Sequence, residues 1–176
     1  VTTPTGTRDP YAWIATIAVL DRPTEDPLGP RVLSSEPGPI AWSIGERPLA
    51  LHAMPPRDGD PRGHEGARPC GIVTSCARIG RHLVAEGTIS ALDLMEINPR
   101  LLERFMERKP LACGIDLRDV DSKAVRGNTF EFTSWRLAAL TLHDDDEDVS
   151  WPELVFVRND LEAWKTLTEH MKGRTK

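Results

Sequence analysis

The stretch GIVTSCARI (Gly71–Ile79), Gly80-Arg81, HLVAEGTI (His82–Ile89) decides the fold. Its two arms are β-type runs without helical spacing, and only two residues separate them, so they read as a hairpin. The chain after Ile89 turns helical. Ser90 caps a short helix with Asp93 three residues on, and Asn98-Pro99 caps and starts a second. In that second helix Leu101, Leu102, Phe105 and Met106 make one apolar face, with Arg100, Glu103, Arg104, Glu107 and Arg108 mostly outside it. Pro110 stops it. Leu111–Leu117 (LACGIDL) then reads as a strand, and Thr129–Trp135 and Leu137–Leu142 as two more.

Upstream of the hairpin, Trp13–Leu20 (WIATIAVL) is β-branched-rich and apolar on both faces, the signature of a buried strand. Asp21–Pro39 carries five prolines and two glycines and reads as a long loop. Pro48–Met54 (PLALHAM) is a further buried strand, and Pro55–Pro69 is a second Pro/Gly-rich excursion. Beyond the last central strand, Asp144–Asp148 (DDDED) is a solvated acidic run. Glu153–Arg158 is a candidate strand. A helix capped by Asn159 or Asp160 comes next, with Leu161, Trp164, Leu167 and Met171 facing inward, closed by Gly173. The resulting division is a leader over 1–12, a barrel-like domain over 13–143, and an acidic loop, strand and helix over 144–176. The class is α+β, mostly β, with a barrel-like sheet flanked by helices.

Composition is consistent with one ordinary domain. The chain has 176 residues, 22 Lys+Arg against 27 Asp+Glu, and a net charge of −5. A chain of this length buries about two-thirds of its unfolded surface, so its core needs no metal or disulfide. The acidity offers no broad footprint for nucleic acid. No apolar run approaches the ~20 residues of a membrane span, and no basic-then-apolar leader is present. Cys70, Cys76 and Cys113 make an odd set without a CxxC pair, which points to a reduced, intracellular protein without a zinc site. No cofactor is expected: GxxxxGK[ST], strand-anchored GxGxxG and GxSxG are all missing, and the acidic run lacks EF-hand spacing.

Of the five histidines, His170 suits a helix C-terminus, His82 and His143 bound strands, and His52 lies in an apolar strand as a core histidine would. His64 differs, because it sits in a Gly-flanked loop, Gly63-His64-Glu65-Gly66, just ahead of a strand. Loop residues held by a rigid sheet carry function more often than core positions do.

Six segments in order then carry a resemblance. They are PTEDPLGPR (Pro23–Arg31), RPLALHAM (Arg47–Met54), GHEGARPCGIV (Gly63–Val73), HLVAEGTIS (His82–Ser90), LACGIDLRDV (Leu111–Val120) and WRLAALTL (Trp135–Leu142). This set resembles the capsid (prohead) maturation proteases of tailed bacteriophages, in the form found in phages of actinobacteria. That family has a Pro-Thr loop, a "PLPL-W" strand, a "GH-[DE]-G-A" loop, "VGRI" and "I-x-A-E-G-x-[IF]" strands, a helix, a "GVSVDL" strand and an "L-A-G-A-T-L" strand. The resemblance implies a β-barrel flanked by helices, similar to the herpesvirus assembly proteases. It also implies a serine endopeptidase that cleaves scaffold and major capsid precursors inside assembling proheads in the bacterial host cytoplasm. The partners it implies are those two proteins; no nucleic acid or membrane is called for, and a homo-oligomer is compatible with it.

Carried over by position, His64 matches the family histidine and would act as general base, taking the nucleophile's proton and delivering it to the leaving amine. The serine does not carry over. Aligning GVSVDL on Ala112–Leu117 puts Gly114 at the nucleophile position, and glycine has nothing with which to attack a carbonyl. Cys113 beside it is chemically able, since a thiolate near a histidine is a strong nucleophile. One step along a strand turns a side chain to the opposite face, so Cys113 serves only if a bulge re-aims it. Asp116 shares the face of Gly114 on a regular strand. Two readings result: a working endopeptidase, or a protease-fold assembly factor that binds capsid or scaffold chains without cutting them. A third, a β-rich interaction domain with a chance likeness, needs no phage role at all.

Overall fold

A computed structural model describes residues 11–24, 30–56, 65–107, 109, 111–125 and 127–144 of the chain. In chain order the elements are β1 (Tyr11–Val19), β2 (Pro23–Thr24), β3 (Arg31–Leu33), a short 3-10 helix (Gly38–Ala41), β4 (Leu49–Ala53), β5 (Arg68–Ile79) and β6 (His82–Ile89). Helices α1 (Ala91–Ile97) and α2 (Pro99–Met106) come next, then β7 (Ala112–Ala124) and β8 (Phe130–His143). Among the described residues the fold is mostly β with two short helices.

All eight strands join one sheet. The main path runs β1-β6-β5-β4-β8, with β7 antiparallel on the far side of β8. The sheet curls until β1 and β7 touch, so the six long strands make a half-barrel around one core. The expected hairpin is present with His82–Ile89 as its second arm, and Gly80 at the turn takes the positive φ (61°) that a two-residue connection demands. β1 is buried on both faces, as its unbroken apolar run requires.

The helices close one end of this half-barrel. Ser90 Oγ accepts from the Asp93 amide (3.1 Å), and Asn98 Oδ1 accepts from the Arg100 amide (3.2 Å), so both expected caps form. The Asn98 side-chain amide also donates to the Met54 carbonyl (3.0 Å), and Asn98 is fully buried, which pins the helix junction to the end of β4. Leu94, Ile97, Leu101 and Phe105 enter the core. Leu102 is half-buried against the core, whereas Met106, expected on the same face, is 46 % exposed. Leu101 and Phe105 are buried in the core and Leu102 packs against its margin, so of the four expected apolar positions Met106 alone is left exposed.

The other end is closed by Leu20, Leu33, Ala41, Trp42 and Trp135. Here the structure departs from the sequence reading. The proline-rich Asp21–Pro39 stretch contains β2, β3 and the start of the 3-10 helix rather than a plain loop. The two strands expected at Thr129–Trp135 and Leu137–Leu142 are a single strand, β8. Its first part pairs β3 in parallel and its last part pairs β4 in parallel, leaving a gap that the segment between β3 and β4 fills. No helix among the described residues is long and apolar enough to cross a membrane. The expected strand at 153–158 and the helix after it lie outside the described residues, as does the acidic run beyond Asp144.

Candidate active-site face

β7 presents alternate residues to opposite sides. Cys113 and Ile115 are buried toward the core, whereas Ala112, Gly114 and Asp116 are half-buried on the outer face. No bulge interrupts this part of the strand: Ala112 through Asp116 pair in unbroken register with His143 through Ala139. Cys113 is therefore not re-aimed. It is 3 % exposed, and its thiol points to the Gly114 carbonyl at 3.5 Å. Burial pushes that thiol up to about 12, with Asp116 and Cys70 adding to the rise and the Thr141 amide opposing it. A neutral, enclosed thiol is a small core hydrophobe rather than a nucleophile.

The outer face assembles by register. Gly114 pairs with Thr141 on β8, and Thr141 pairs with His52 on β4, so His52, Thr141 and Gly114 form one row across three strands. Asp116 lies in the next row on one side, opposite Ala139 and Ala50, and on the other side Ala112 is paired with His143. The Thr141 hydroxyl donates to Asp116 Oδ2 at 2.9 Å and is wholly buried. Its proton is committed to that carboxylate, and its oxygen cannot reach a peptide. The outer face thus brings together the His52 imidazole, the Thr141–Asp116 hydrogen bond and Gly114.

His64 lies outside the described residues. The chain leaves β4 through Met54-Pro55-Pro56 and rejoins at Glu65-Gly66 ahead of β5, at the helix-capped end, which is also the end of β7 that carries Gly114. His52 is the residue that sequence reasoning places differently. A core position is expected for it, but Leu51 and Ala53 face inward and His52 between them is half-buried on the outer face. The alternation in LALHA carries that signal, since Leu49, Leu51 and Ala53 share one side and Ala50 and His52 the other. Its proximity to Gly114 is not local information, because it comes from a parallel pairing of segments about 90 residues apart. Ser122, Thr133 and Ser134 sit on the distal half of the β7–β8 ribbon, and Ser134 Oγ donates to the Asp119 carbonyl (3.4 Å). Among the described residues no group of three or more His, Cys, Asp or Glu is placed to hold a metal ion.

The three cysteines share one environment. Burial pushes Cys70 and Cys76 up to about 12 as well. Each thiol ionises more readily unfolded, near pH 9, than folded, so this contribution to stability is intact below about pH 9 and is lost as pH rises toward 12. At pH 8 the native chain should leave all three thiols unreactive to Ellman's reagent on mixing, with labelling at the rate of unfolding and all three available in denaturant. A thiol that labels within seconds in the native state would contradict their enclosure. No known protein-family model, curated protein or solved structure matches the chain.

Proposed function

We propose that the chain acts in bacteriophage head assembly as a barrel of the herpesvirus-assemblin and prohead-protease type that binds scaffold and capsid precursors without cutting them at a Gly114-centred site. The observation that carries this reading is the orientation of β7. Gly114, the position aligned with the family serine, is on the outer face beside Thr141 and His52, while the adjacent thiol of Cys113 is turned into the core. On the resemblance, Gly114 is the position from which a nucleophile would be presented, and it carries no side chain. The order of the segments gives further support. RPLALHAM, HLVAEGTIS, LACGIDLRDV and WRLAALTL correspond to β4, β6, β7 and the second half of β8, strands of one contiguous sheet.

The test is co-expression with the scaffold and major capsid proteins of the same phage, followed by affinity capture and intact-mass spectrometry. The wild-type chain should capture full-length precursor, and Gly114→Ser should produce trimmed termini that disappear again when His64→Ala is added. Trimming by the wild-type chain that His64→Ala abolishes would instead make it a working endopeptidase. Neither capture nor trimming, with any variant, would remove the phage role altogether.

A further inference from the structure

Four residues along β7 from Gly114, at Arg118, an open cleft of about 650 Å³ lies between the segment that joins β3 to β4 and the β7–β8 pair. Its apolar lining includes Ile40, Ile44 and Leu137, and its basic lining is Arg47, Arg118 and Arg136. Ile40 is 61 % exposed, an uncovered branched side chain at the mouth of the cleft. All three arginines are exposed.

Two features set this cluster apart from scattered surface charge. Arg118 and Arg136 are directly opposed across β7 and β8, and like charges in that relation repel and destabilise a sheet. The compensation is slight: Arg136 Nε is 3.8 Å from Asp119 Oδ2, and no ion pair holds Arg47 or Arg118 among the described residues. The cleft's own carboxylate, Glu46, leaves three guanidinium groups against one acid in the lining. The second feature is the backbone just beyond Arg118. Asp119 is at φ 53°, a left-handed conformation that non-glycine residues seldom adopt. It sits in a bulge where Asp119 and Val120 span the place of Trp135 alone on β8. Such bulges bend an edge strand and re-aim the side chains next to it. Backbone strain and charge repulsion thus converge on the positions that carry the arginines.

We infer that this cleft binds an acidic peptide segment of a separate protein, its carboxylates on Arg47, Arg118 and Arg136 and an apolar side chain against Ile40 and Ile44. Guanidinium groups favour carboxylates because their paired N–H donors match both oxygens. The apolar floor asks for hydrophobic residues among the acids, which distinguishes the occupant from a bare anion. The inference stands apart from the head-assembly reading, because it rests on the arginine and isoleucine lining of the cleft and involves neither Gly114 nor a reaction.

The test uses the full chain and fluorescence anisotropy with a labelled dodecapeptide repeating Glu-Leu-Glu-Ser. Saturable binding is expected that weakens markedly between low and high salt, since exposed charge pairs are screened. Arg118→Glu and Arg136→Glu should each weaken it by about tenfold or more, and Ile40→Ser by several-fold. Arg100→Glu, on α2 at the far end, should leave it unchanged. Arg118→Glu should melt no lower than the wild type, because it turns a repulsive cross-strand pair into an attractive one. Lost binding in a fold that is equally or more stable is therefore the signature of the site. Several results overturn the inference: no saturable binding, equal binding of a Lys-Leu-Lys-Ser peptide, or equal loss with Arg100→Glu. Tighter binding of an oligo-dT strand with the same arginine dependence would assign the cleft to nucleic acid. Self-association that Arg118→Glu abolishes, without peptide binding, would assign it to a second copy of the chain.

Discussion

Gly87→Ala should cost the chain about 3 kcal/mol or more, a large part of the 5–15 kcal/mol that holds a typical domain together. Gly87 is on β6, which is hydrogen-bonded to β1 on one side and β5 on the other. A Cβ added there would lie 1.9 Å from the Ile72 carbonyl oxygen, 2.9 Å from its carbon and 3.0 Å from Cζ2 of Trp13. Two of those atoms are backbone of the paired strand, and the third belongs to a tryptophan that is 2 % exposed. Nothing flexible can yield, so β5 and β6 must separate or the strand must slip. Gly71 on β5 is the counterpart. Its added Cβ would meet the Thr88 carbonyl at 2.2 Å, and Ile72 and Thr88, whose carbonyls are the two obstacles, are themselves register partners. Close backbone approach across this pair is what the two glycines permit. Urea denaturation followed by far-ultraviolet circular dichroism measures the effect. A midpoint for Gly87→Ala close to that of the wild type would show that the sheet relaxes around a methyl group, contrary to this geometry.

Trp135→Ala should be comparably severe, about 3–5 kcal/mol, as for other large aromatic side chains cut from a core. Trp135 is 1 % exposed, its ring centroid is 6.0 Å from that of Trp42, and its indole N–H donates to the Ser34 carbonyl at 2.9 Å. That bond fastens β8 to the segment that fills the gap between β3 and β4. Ser34 in turn donates its amide to the Phe132 carbonyl (3.1 Å), so the segment is tied to β8 at both points. Trp135→Phe keeps most of the packing but leaves the buried Ser34 carbonyl without that donor, a loss of about 1–3 kcal/mol. Guanidinium denaturation of the two variants separates packing from hydrogen bonding. If Trp135→Phe proves as damaging as Trp135→Ala, the hydrogen bond carries the larger share. Because this segment also bears Ile40, Ile44 and Arg47, Trp135→Ala should weaken acidic-peptide binding even where the fold survives.

The glycines and caps show how much was open to sequence reading. The hairpin at Gly80-Arg81 and the caps at Ser90 and Asn98 rest on interactions within a few residues, the strand at Leu49–Ala53 shows as a short apolar run, and the structure contains each of them. β8 shows where that reading fails. Trp135 and Leu137 face inward, then Leu140 and Leu142, so the inward phase moves from odd to even numbers at an extra residue, Ala138, that has no partner on β7. A change of phase looks like the end of one strand and the start of another, although here it is a bulge within a continuous one. β5 does the same: Cys70, Val73 and Cys76 face inward three residues apart, because register shifts fall at Cys70 and Thr74. Without the register, that spacing has no strand periodicity to recognise.

The sequence alone determined the local pieces of this protein: a β-rich chain, a tight hairpin, two capped helices and a glycine at position 114. Tertiary structure alone decided which of these residues meet. Parallel pairing of β4 and β3 with β8 joins segments about 90 to 100 residues apart, and no short-range preference encodes it. That pairing places His52 in the row of Gly114. The bulge at Asp119 and the seating of Trp42 against Trp135 bring Arg47 beside Arg118 and Arg136. The physical reason is the same at both places. A strand's alternation is a local property, but the phase of that alternation and the neighbour it faces are set by register, and register is settled only when the whole sheet closes around its core.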